Sequence, residues 1–403
     1  MNIILFDQPK ARVALKPFSD TRPLAKIRLG ITTIEEKWKQ YLSGDYSFLT
    51  APYLREKFPE IAQSSNYYIN GTVCPHKTLV EAIKQLKMHE QLVQGNTLLA
   101  FVAGKDTGST NYPTNFGHLN LQKISFSGAI TQIANKWDIF LHNAKALQED
   151  FQWFQAQQPS QPINDPYTKV YNEAAVFVEP GASIKAAMLN AELGPIYIGK
   201  QAVIEEGAIL RGPVSVGQGA QIKAGTVVEQ ATTIGPYAKV GGSISNSVIF
   251  GYTNKVHNGF LGNSVIGEWC NLGAGTNTSN LKNNYTTIQV WDDAQEELVS
   301  TELQFCGLFM GDHSKCAINT MFNAGTVVGV SANIFGAGFC HKFVPSFTRG
   351  GPDSNLAVYK SNKAIETAAI AMQRRDQQLT ATDQQILEYL AKEAVTVWIK
   401  TKL

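Results

Sequence analysis

Residues Ile198 to Val240 read IGKQAVIEEGAILRGPVSVGQGAQIKAGTVVEQATTIGPYAKV. Every sixth position is apolar: Ile198, Ile204, Leu210, Val216, Ile222, Val228, Ile234 and Val240. Four residues after most of these stands a small side chain, at Ala202, Ala208, Ala220, Thr226, Thr232 and Ala238, and glycine directly follows several, as at Gly199, Gly217, Gly235 and Gly241. Such a period fits neither a helix, at about 3.6 residues per turn, nor the two-residue alternation of an ordinary strand. It fits short strands joined by tight turns, stacked coil on coil into a parallel β-helix. The frame returns, displaced by two, at Phe260, Ile266 and Leu272, and again at Met310, Cys316, Phe322, Val328 and Ile334, so these side chains are expected to point inward.

Composition narrows the rest. A chain of 403 residues exceeds one typical domain, and 44% hydrophobic residues suffice for globular cores. A net charge of +2 with no Lys/Arg cluster gives no nucleic-acid footprint. No apolar stretch approaches a membrane span or a signal sequence. Cys74, Cys270, Cys306, Cys316 and Cys340 show neither disulfide nor metal-ligand spacing, as expected of a reduced, cytoplasmic protein.

Before the repeats the chain alternates. Asn2 to Phe6 is a short apolar strand, and Asp7 to Pro23, punctuated by Pro9, Pro17 and Pro23, is expected to be a loop. Ile34, Trp38, Tyr41 and Leu42 recur at helical spacing, as do Leu79, Ile83, Leu86 and Leu92 or Val93 before Gly95. Leu98 to Val102 is a strand, and Ala144, Leu147, Phe151 and Phe154 mark a helix. This alternation predicts an α/β domain over residues 1–156, with a Pro/Gln/Asn-rich linker at 157–170. The β-helix is expected over 171–345, interrupted by a polar loop at 279–304. C-terminal helices over 346–403, the second with Thr382 and Gln385 as a capping box, would cover the open end of the solenoid.

The segment His257-Asn-Gly-Phe-Leu-Gly-Asn-Ser-Val-Ile-Gly267, followed by Asn271-Leu-Gly-Ala-Gly-Thr276 and Asn280, resembles an acetyltransferase pattern. It is similar to the second half of the bifunctional UDP-N-acetylglucosamine pyrophosphorylase/glucosamine-1-phosphate acetyltransferase family, of the type H-x-x-Y-L-G-D-x-x-I-G-x-x-x-N-I-G-A-G-T-x-x-x-N, and runs without a gap. The resemblance implies a left-handed β-helix, a homotrimer, and an acyl donor, acetyl-CoA, held between coils. Before the repeats, Leu5 and Arg12 match the family's nucleotidyl loop, L-x-x-G-x-G-T-R-M, while Gln8 and Lys10 replace its glycines; Arg22-Pro-Leu-Ala-Lys-Ile-Arg-Leu-Gly30 resembles its R-P-K-P-L-x-P-V-x-G segment. This implies an α/β sugar nucleotidyltransferase-like domain acting on a nucleoside triphosphate and a sugar 1-phosphate with Mg²⁺.

N-acetylation of an amino sugar needs a base for the amine proton as nitrogen attacks the thioester, and neutral imidazole suits that task near pH 7. His257 is the matching residue, expected to face outward because it precedes the inward Phe260 by three. By the resemblance Asn271 and Asn280 contact acceptor or acyl donor, and the Ala274 N–H helps hold the acyl oxygen. Phe260 replaces the family's tyrosine and Ser245 its phosphate-binding lysine, leaving Lys255 or Lys282 to supply that charge. Asp312, His313 and Lys315 are further polar candidates. In the front domain Arg12, Arg22, Lys26 and Arg28 are the phosphate candidates; Ile69-Asn-Gly-Thr72 stands where the metal carboxylate belongs and has none, so no metal ligand is assigned.

Three readings share these residues. The first is a sugar-1-phosphate nucleotidyltransferase fused to a hexapeptide acyltransferase of UDP-N-acetylglucosamine-like biosynthesis. The second is a monofunctional acyltransferase with a degenerate nucleotide-binding module. The third is a non-catalytic trimeric scaffold. The intact His257 motif disfavours the third, and the whole-chain resemblance favours the first.

Overall fold

A computed structural model describes residues 1–105, 116 and 120–401. Contacts divide the chain into two compact units: Met1–Leu15 with Ser19–Ile27 and Thr32–Asn135, and Lys16–Phe18 with Arg28–Ile31 and Lys136–Leu403.

The first unit is an α/β layer. Its six-stranded sheet runs in the order Asp45–Leu49, Asn2–Phe6, Asn66–Asn70, Thr97–Ala103, Glu90–Gln94, Gln122–Ser125. The first three strands are mutually parallel, whereas Thr97–Ala103 opposes both neighbours. Asn2–Phe6 is buried throughout, as a central parallel strand covered on both faces must be. Tyr68 stacks on Phe101 at 4.5 Å to close the core. Helix Ile34–Tyr41 starts on a capping box between Thr33 and Glu36 and drives Trp38 inward, where its Nε1 donates to the Val73 carbonyl at 2.8 Å. Two local expectations fail. Pro9–Ala14 is a short helix inside the expected loop, its Pro at the first turn where a missing N–H is harmless. Leu92 and Val93 belong to strand Glu90–Gln94, because helix Lys77–Lys84 ends before them.

The second unit is built on a left-handed parallel β-helix with C-terminal helices. Three parallel faces carry one hexapeptide each, so that Ile198 stacks under Val216 and Val216 under Ile234. The eight large repeat residues from Ile198 to Val240 are all 0% exposed, and Ala202, Ala208, Ala220 and Ala238 fill the corners beside them. The later inward residues Ile266, Leu272, Met310, Cys316, Phe322, Val328 and Ile334 are buried as the period requires.

Phe260 differs. The inward positions after Val240 pass from face to face through Ile244, Ile249, Lys255 and Leu261, and Phe260 points outward, half-buried. The cause lies in the shortened corners after Val240. Gly241 and Gly242 let two coils approach where a Cβ would run into the Val256 carbonyl and the Gly259 backbone. The period slips there by an amount that the periodicity alone does not reveal.

Outward positions distinguish the faces. On one, Tyr197 and Phe309 are covered within this unit by Phe154 and by Phe18 and Phe140. On the second, Gln221, Lys239, Asn254, Asn271, Lys315 and Asn333 form one continuous polar column. The third carries Met188, Met321 and Phe339, which are 38%, 36% and 56% exposed, with Ile209, Val227 and Phe260 half-buried in line and the polar Ser243 and Asn277 interrupting the row.

The 279–304 insertion contains an antiparallel hairpin, Gln289–Asp292 with Glu297–Ser300, docked by Trp291 on Phe343 at 4.3 Å and by Lys136 Nζ donating to the Trp291 carbonyl at 2.8 Å. Helices Ser361–Gln373 and Ala381–Thr401 follow the last coil. The capping box of the second is Thr380 with Asp383, two residues before the expected pair, because the acid at Asp383 returns the hydrogen bond to the Thr380 N–H at 3.2 Å.

Candidate functional site

A groove of about 810 Å³ runs along the polar face of the β-helix, beneath the end of helix Ser361–Gln373. His257, Asn271 and Ala274 line it together. His257 is exposed on the corner after strand Asn254–Lys255, and Asn271 projects from the next coil, opposite Asn254. The Ala274 N–H, on the corner above, has no acceptor among the described residues, while its carbonyl accepts from Asn319 at 2.7 Å.

The sequence reading missed most of the groove's charge. Lys223, Lys239, Lys315, Arg374 and Arg375 line it, and no carboxylate does so among the described residues. Burial depresses the Lys239 amine, and the nearby Arg375 and Lys223 charges add to this. Arg375 is likewise held down by burial and by Arg374, and burial lowers Lys315, whose Nζ donates to the His313 carbonyl at 2.9 Å. Like charges crowded this way favour an anion that neutralises them. The lysines were readable in principle, being outward neighbours of inward residues; the arginines lie at a helix end that the repeat pattern says nothing about.

Tyr252 and Trp269 form the aromatic wall. They belong to a ladder, Tyr237–Tyr252–Trp269–His313, with ring centroids 5.0, 4.1 and 6.4 Å apart and interplanar angles of 18°, 10° and 7°. Each residue takes the left-handed corner conformation, with φ of 57°, 60°, 61° and 61°. That conformation costs a non-glycine residue about 1–3 kcal/mol, which stacking at about 0.5–1.5 kcal/mol per pair offsets in part.

The structure does not gather every expected residue here. Lys255 fills an inward position, 2% exposed, with its Nζ on the carbonyls of Gly241 at 2.9 Å and His257 at 3.1 Å, so it does not present a charge to a phosphate in the groove. Asn280 lies on the adjoining face, its amide donating to Asn263 Oδ1 at 2.8 Å. Lys282 turns back into the insertion, donating to the Thr287 carbonyl at 2.7 Å. Asp312 is buried and accepts the Glu268 N–H at 2.8 Å.

In the first unit the phosphate candidates disperse. Arg12 is buried, donating to Asp7 Oδ2 at 2.7 Å, to Tyr53 Oη at 2.9 Å and to the carbonyls of Ser19 and Arg22. It is a staple of the loop and not an open phosphate contact. Arg22 is buried as well, Lys26 pairs with Glu35, and Arg28 groups with the second unit, where it donates to the Ile31 carbonyl. Asp7, at the carboxyl end of the central strand, accepts from Arg12, from Thr50 at 2.6 Å and from the Leu24 N–H at 2.8 Å. Asn70 is committed on both sides, accepting from Thr72 in its own turn and donating to the Leu98 carbonyl of the neighbouring strand at 2.9 Å. Among the described residues no three His, Cys, Asp or Glu side chains converge. With the Asp7 and Asn70 oxygens engaged and no carboxylate at Thr72, the described residues of this loop present no ligand set for Mg²⁺.

The fold is thus a nucleotidyltransferase-like α/β unit followed in the chain by a left-handed parallel β-helix of hexapeptide repeats. Residues 3–158 match the sequence model of a family described as "Sugar nucleotidyl transferase". The chain is similar to "Bifunctional protein GlmU" of Methanocaldococcus jannaschii, 35% identical over 178 residues, which is 42% of this chain and 41% of that one. It is also similar to the "Bifunctional sugar-1-phosphate nucleotidylyltransferase/acetyltransferase" of Sulfurisphaera tokodaii, 31% identical over 99 residues, 24% of each chain. The matched stretches thus span 41% and 24% of these curated relatives, well under half of either. Among solved structures, the UDP-N-acetylglucosamine acyltransferase of Arabidopsis aligns over 52% of this chain and 78% of that one at 13% identity, with a TM-score of 0.30. No helix among the described residues is long and apolar enough to cross a membrane.

Proposed function

We propose that the chain is a transferase of sugar-nucleotide biosynthesis whose β-helix moves an acetyl group from acetyl-CoA to the amine of an amino-sugar phosphate. The observation that carries this reading is the convergence of His257, Asn271 and Ala274 on one groove lined by five cations, of which Lys223 is paired with Glu205, and by no carboxylate among the described residues. The amine nitrogen attacks the thioester carbonyl. An N–C bond forms, the C–S bond breaks, and the amine proton passes to His257 and on to the departing thiolate. The Ala274 N–H is placed to donate to the oxygen that gains charge, Asn271 to orient the acceptor, and the cations to hold the phosphates of donor and acceptor.

The active assembly in this reading is a homotrimer, supported by the exposure of the apolar Met188, Met321 and Phe339 on one face of the β-helix. Domain roles follow the sequence: residues 1–156 nucleotidyltransferase-like, 171–345 acyl transfer, 346–403 terminal helices.

For the first unit the kinship with sugar nucleotidyl transferases supports transfer from a nucleoside triphosphate to a sugar 1-phosphate. The Asp7–Arg12 pair inside the loop favours instead a sugar- or nucleotide-binding module that has lost the transfer step.

Two parallel incubations decide between them. One contains acetyl-CoA and glucosamine 1-phosphate and follows thiol; the other contains UTP or dTTP, Mg²⁺ and hexose 1-phosphates and follows pyrophosphate. Thiol release supports the acyltransferase reading, and its absence with every amino-sugar phosphate tried would overturn it. Pyrophosphate release would restore the nucleotidyltransferase to the first unit.

A further inference from the structure

We propose that Lys255 is the positioning residue of the turn that presents His257, acting from inside the β-helix as a clamp between the carbonyls of two successive coils. The proposal rests on the reading of His257 as the base for acyl transfer.

Lys255 stands in an inward column. Strand register sets it above Val240, and the same column continues through Leu272, Cys316 and Ile334. Every other residue from Ile184 upward in that column is apolar or a thiol. A hydrocarbon would fill the place without the desolvation that a buried ammonium suffers. Packing therefore does not account for lysine here.

Its hydrogen bonds do. Nζ donates to the Gly241 carbonyl at 2.9 Å and to the His257 carbonyl at 3.1 Å. Among the described residues neither oxygen accepts from any other donor. Gly241 opens the corner of one coil and His257 lies on the corner of the next, so one amine joins the two. The same corner is held from other sides. The Gly241 N–H donates to the Lys255 carbonyl at 2.6 Å, and from the coil above the Gly275 N–H donates to the Asn258 carbonyl at 3.0 Å. Gly242, at φ +83°, leaves no room for a side chain beneath Gly259. Lys255 is the only side chain among these contacts, and hence the one that substitution can remove while the backbone ties stay.

The experiment compares Lys255→Met, Lys255→Gln and His257→Ala in the full-length chain. Acetyl transfer to glucosamine 1-phosphate is followed by steady-state kinetics, and ¹³C-carbonyl-histidine labelling reports the His257 carbonyl, with its resonance assigned from the alanine variant. The methionine keeps the shape of the stem and loses the donors. We expect a melting temperature no lower than wild type, a displaced His257 carbonyl resonance, and a kcat about tenfold to a hundredfold down at unchanged KM, the range expected of a slightly misplaced catalytic group. The glutamine keeps a donor and should restore part of both readouts. Wild-type kcat with an unmoved carbonyl resonance in Lys255→Met would overturn the proposal. If that variant does not fold, the same two readouts on Lys255→Gln decide: intermediate values support the clamp and wild-type values overturn it. Acetyl transfer surviving in His257→Ala would remove only the role of the imidazole, since the carbonyl shift tests the clamp without turnover.

Discussion

The Arg375 guanidinium donates from Nη2 to Asn254 Oδ1 at 2.6 Å, fastening the segment just after helix Ser361–Gln373 to the polar face of the β-helix. Its Nη1 reaches the Tyr237 carbonyl at 3.3 Å, so a single side chain spans two coils beside the groove. The C-terminal helix is thereby part of the candidate site and not only a cover for the solenoid end.

Replacing Arg375 by Ala should therefore weaken donor binding. A hydrogen bond to a charged group is worth about 1.5–3 kcal/mol, so the KM for acetyl-CoA should rise about tenfold or more while kcat changes little. Measured across ionic strength, the wild-type KM should climb with salt more steeply than that of the variant. A KM identical to wild type would remove Arg375 from the site.

His257→Ala should lower acetyl transfer by about 10²–10⁴-fold, the usual worth of a general base. Its exposed position predicts an unchanged melting temperature and sedimentation coefficient. Activity within a fewfold of wild type would mean that another group takes the proton.

Lys255 should leave a signature in the pH dependence of stability. Burial lowers its amine from 10.5 to about 8, the nearby Cys316 opposing the shift. Between those values the unfolded chain binds a proton that the folded one does not, so unfolding free energy rises with pH across that window. Each pKa unit is worth about 1.4 kcal/mol, giving a rise of a few kcal/mol in wild type relative to Lys255→Met. Parallel curves for the two proteins in urea melts from pH 7 to pH 10.5 would show that the amine is not depressed.

In the first unit, Arg12→Ala strands the Asp7 carboxylate at 1% exposure. Breaking a buried pair by removing one partner costs about 3–5 kcal/mol, so this unit should melt well below its wild-type temperature in differential scanning calorimetry. Asp7→Asn with Arg12→Met, removing both charges, should recover much of the loss. No shift in Arg12→Ala would mean that the pair is not formed.

Charge on the third face should separate the subunits. Met321→Glu with Phe339→Glu places carboxylates among the exposed apolar side chains of that face, and sedimentation velocity should then report a monomer where the wild type gives a trimer. A wild-type monomer, or a trimer indifferent to both charges, would send the interface elsewhere.

The solenoid was legible because its period is stated over and over: the run from Ile198 to Val240 holds seven unbroken steps of six, and each burial follows from it. Lys255 and Phe260 were misplaced for the complementary reason. The short corners after Val240 break the count, and only strand pairing shows that Leu261, not Phe260, continues the column. His257, Asn271 and Ala274 could be placed together because their motif is contiguous in sequence; Arg374 and Arg375 could not, because a helix far along the chain brings them to the same groove. In the first unit, Arg12 has the composition of a phosphate contact, and only the surrounding acceptors reveal a buried staple.

Tyr252 and Trp269, which wall the groove, stack with Tyr237 into a row of near-parallel chromophores that His313 extends. Rings held face to face couple their electronic transitions, so the protein carries a built-in optical gauge at its candidate site. A planar base laid against Trp269 would quench its emission and alter the near-ultraviolet dichroism of the row. Occupancy of the groove can thus be watched by light in the unlabelled chain, one ligand at a time, before any turnover is measured.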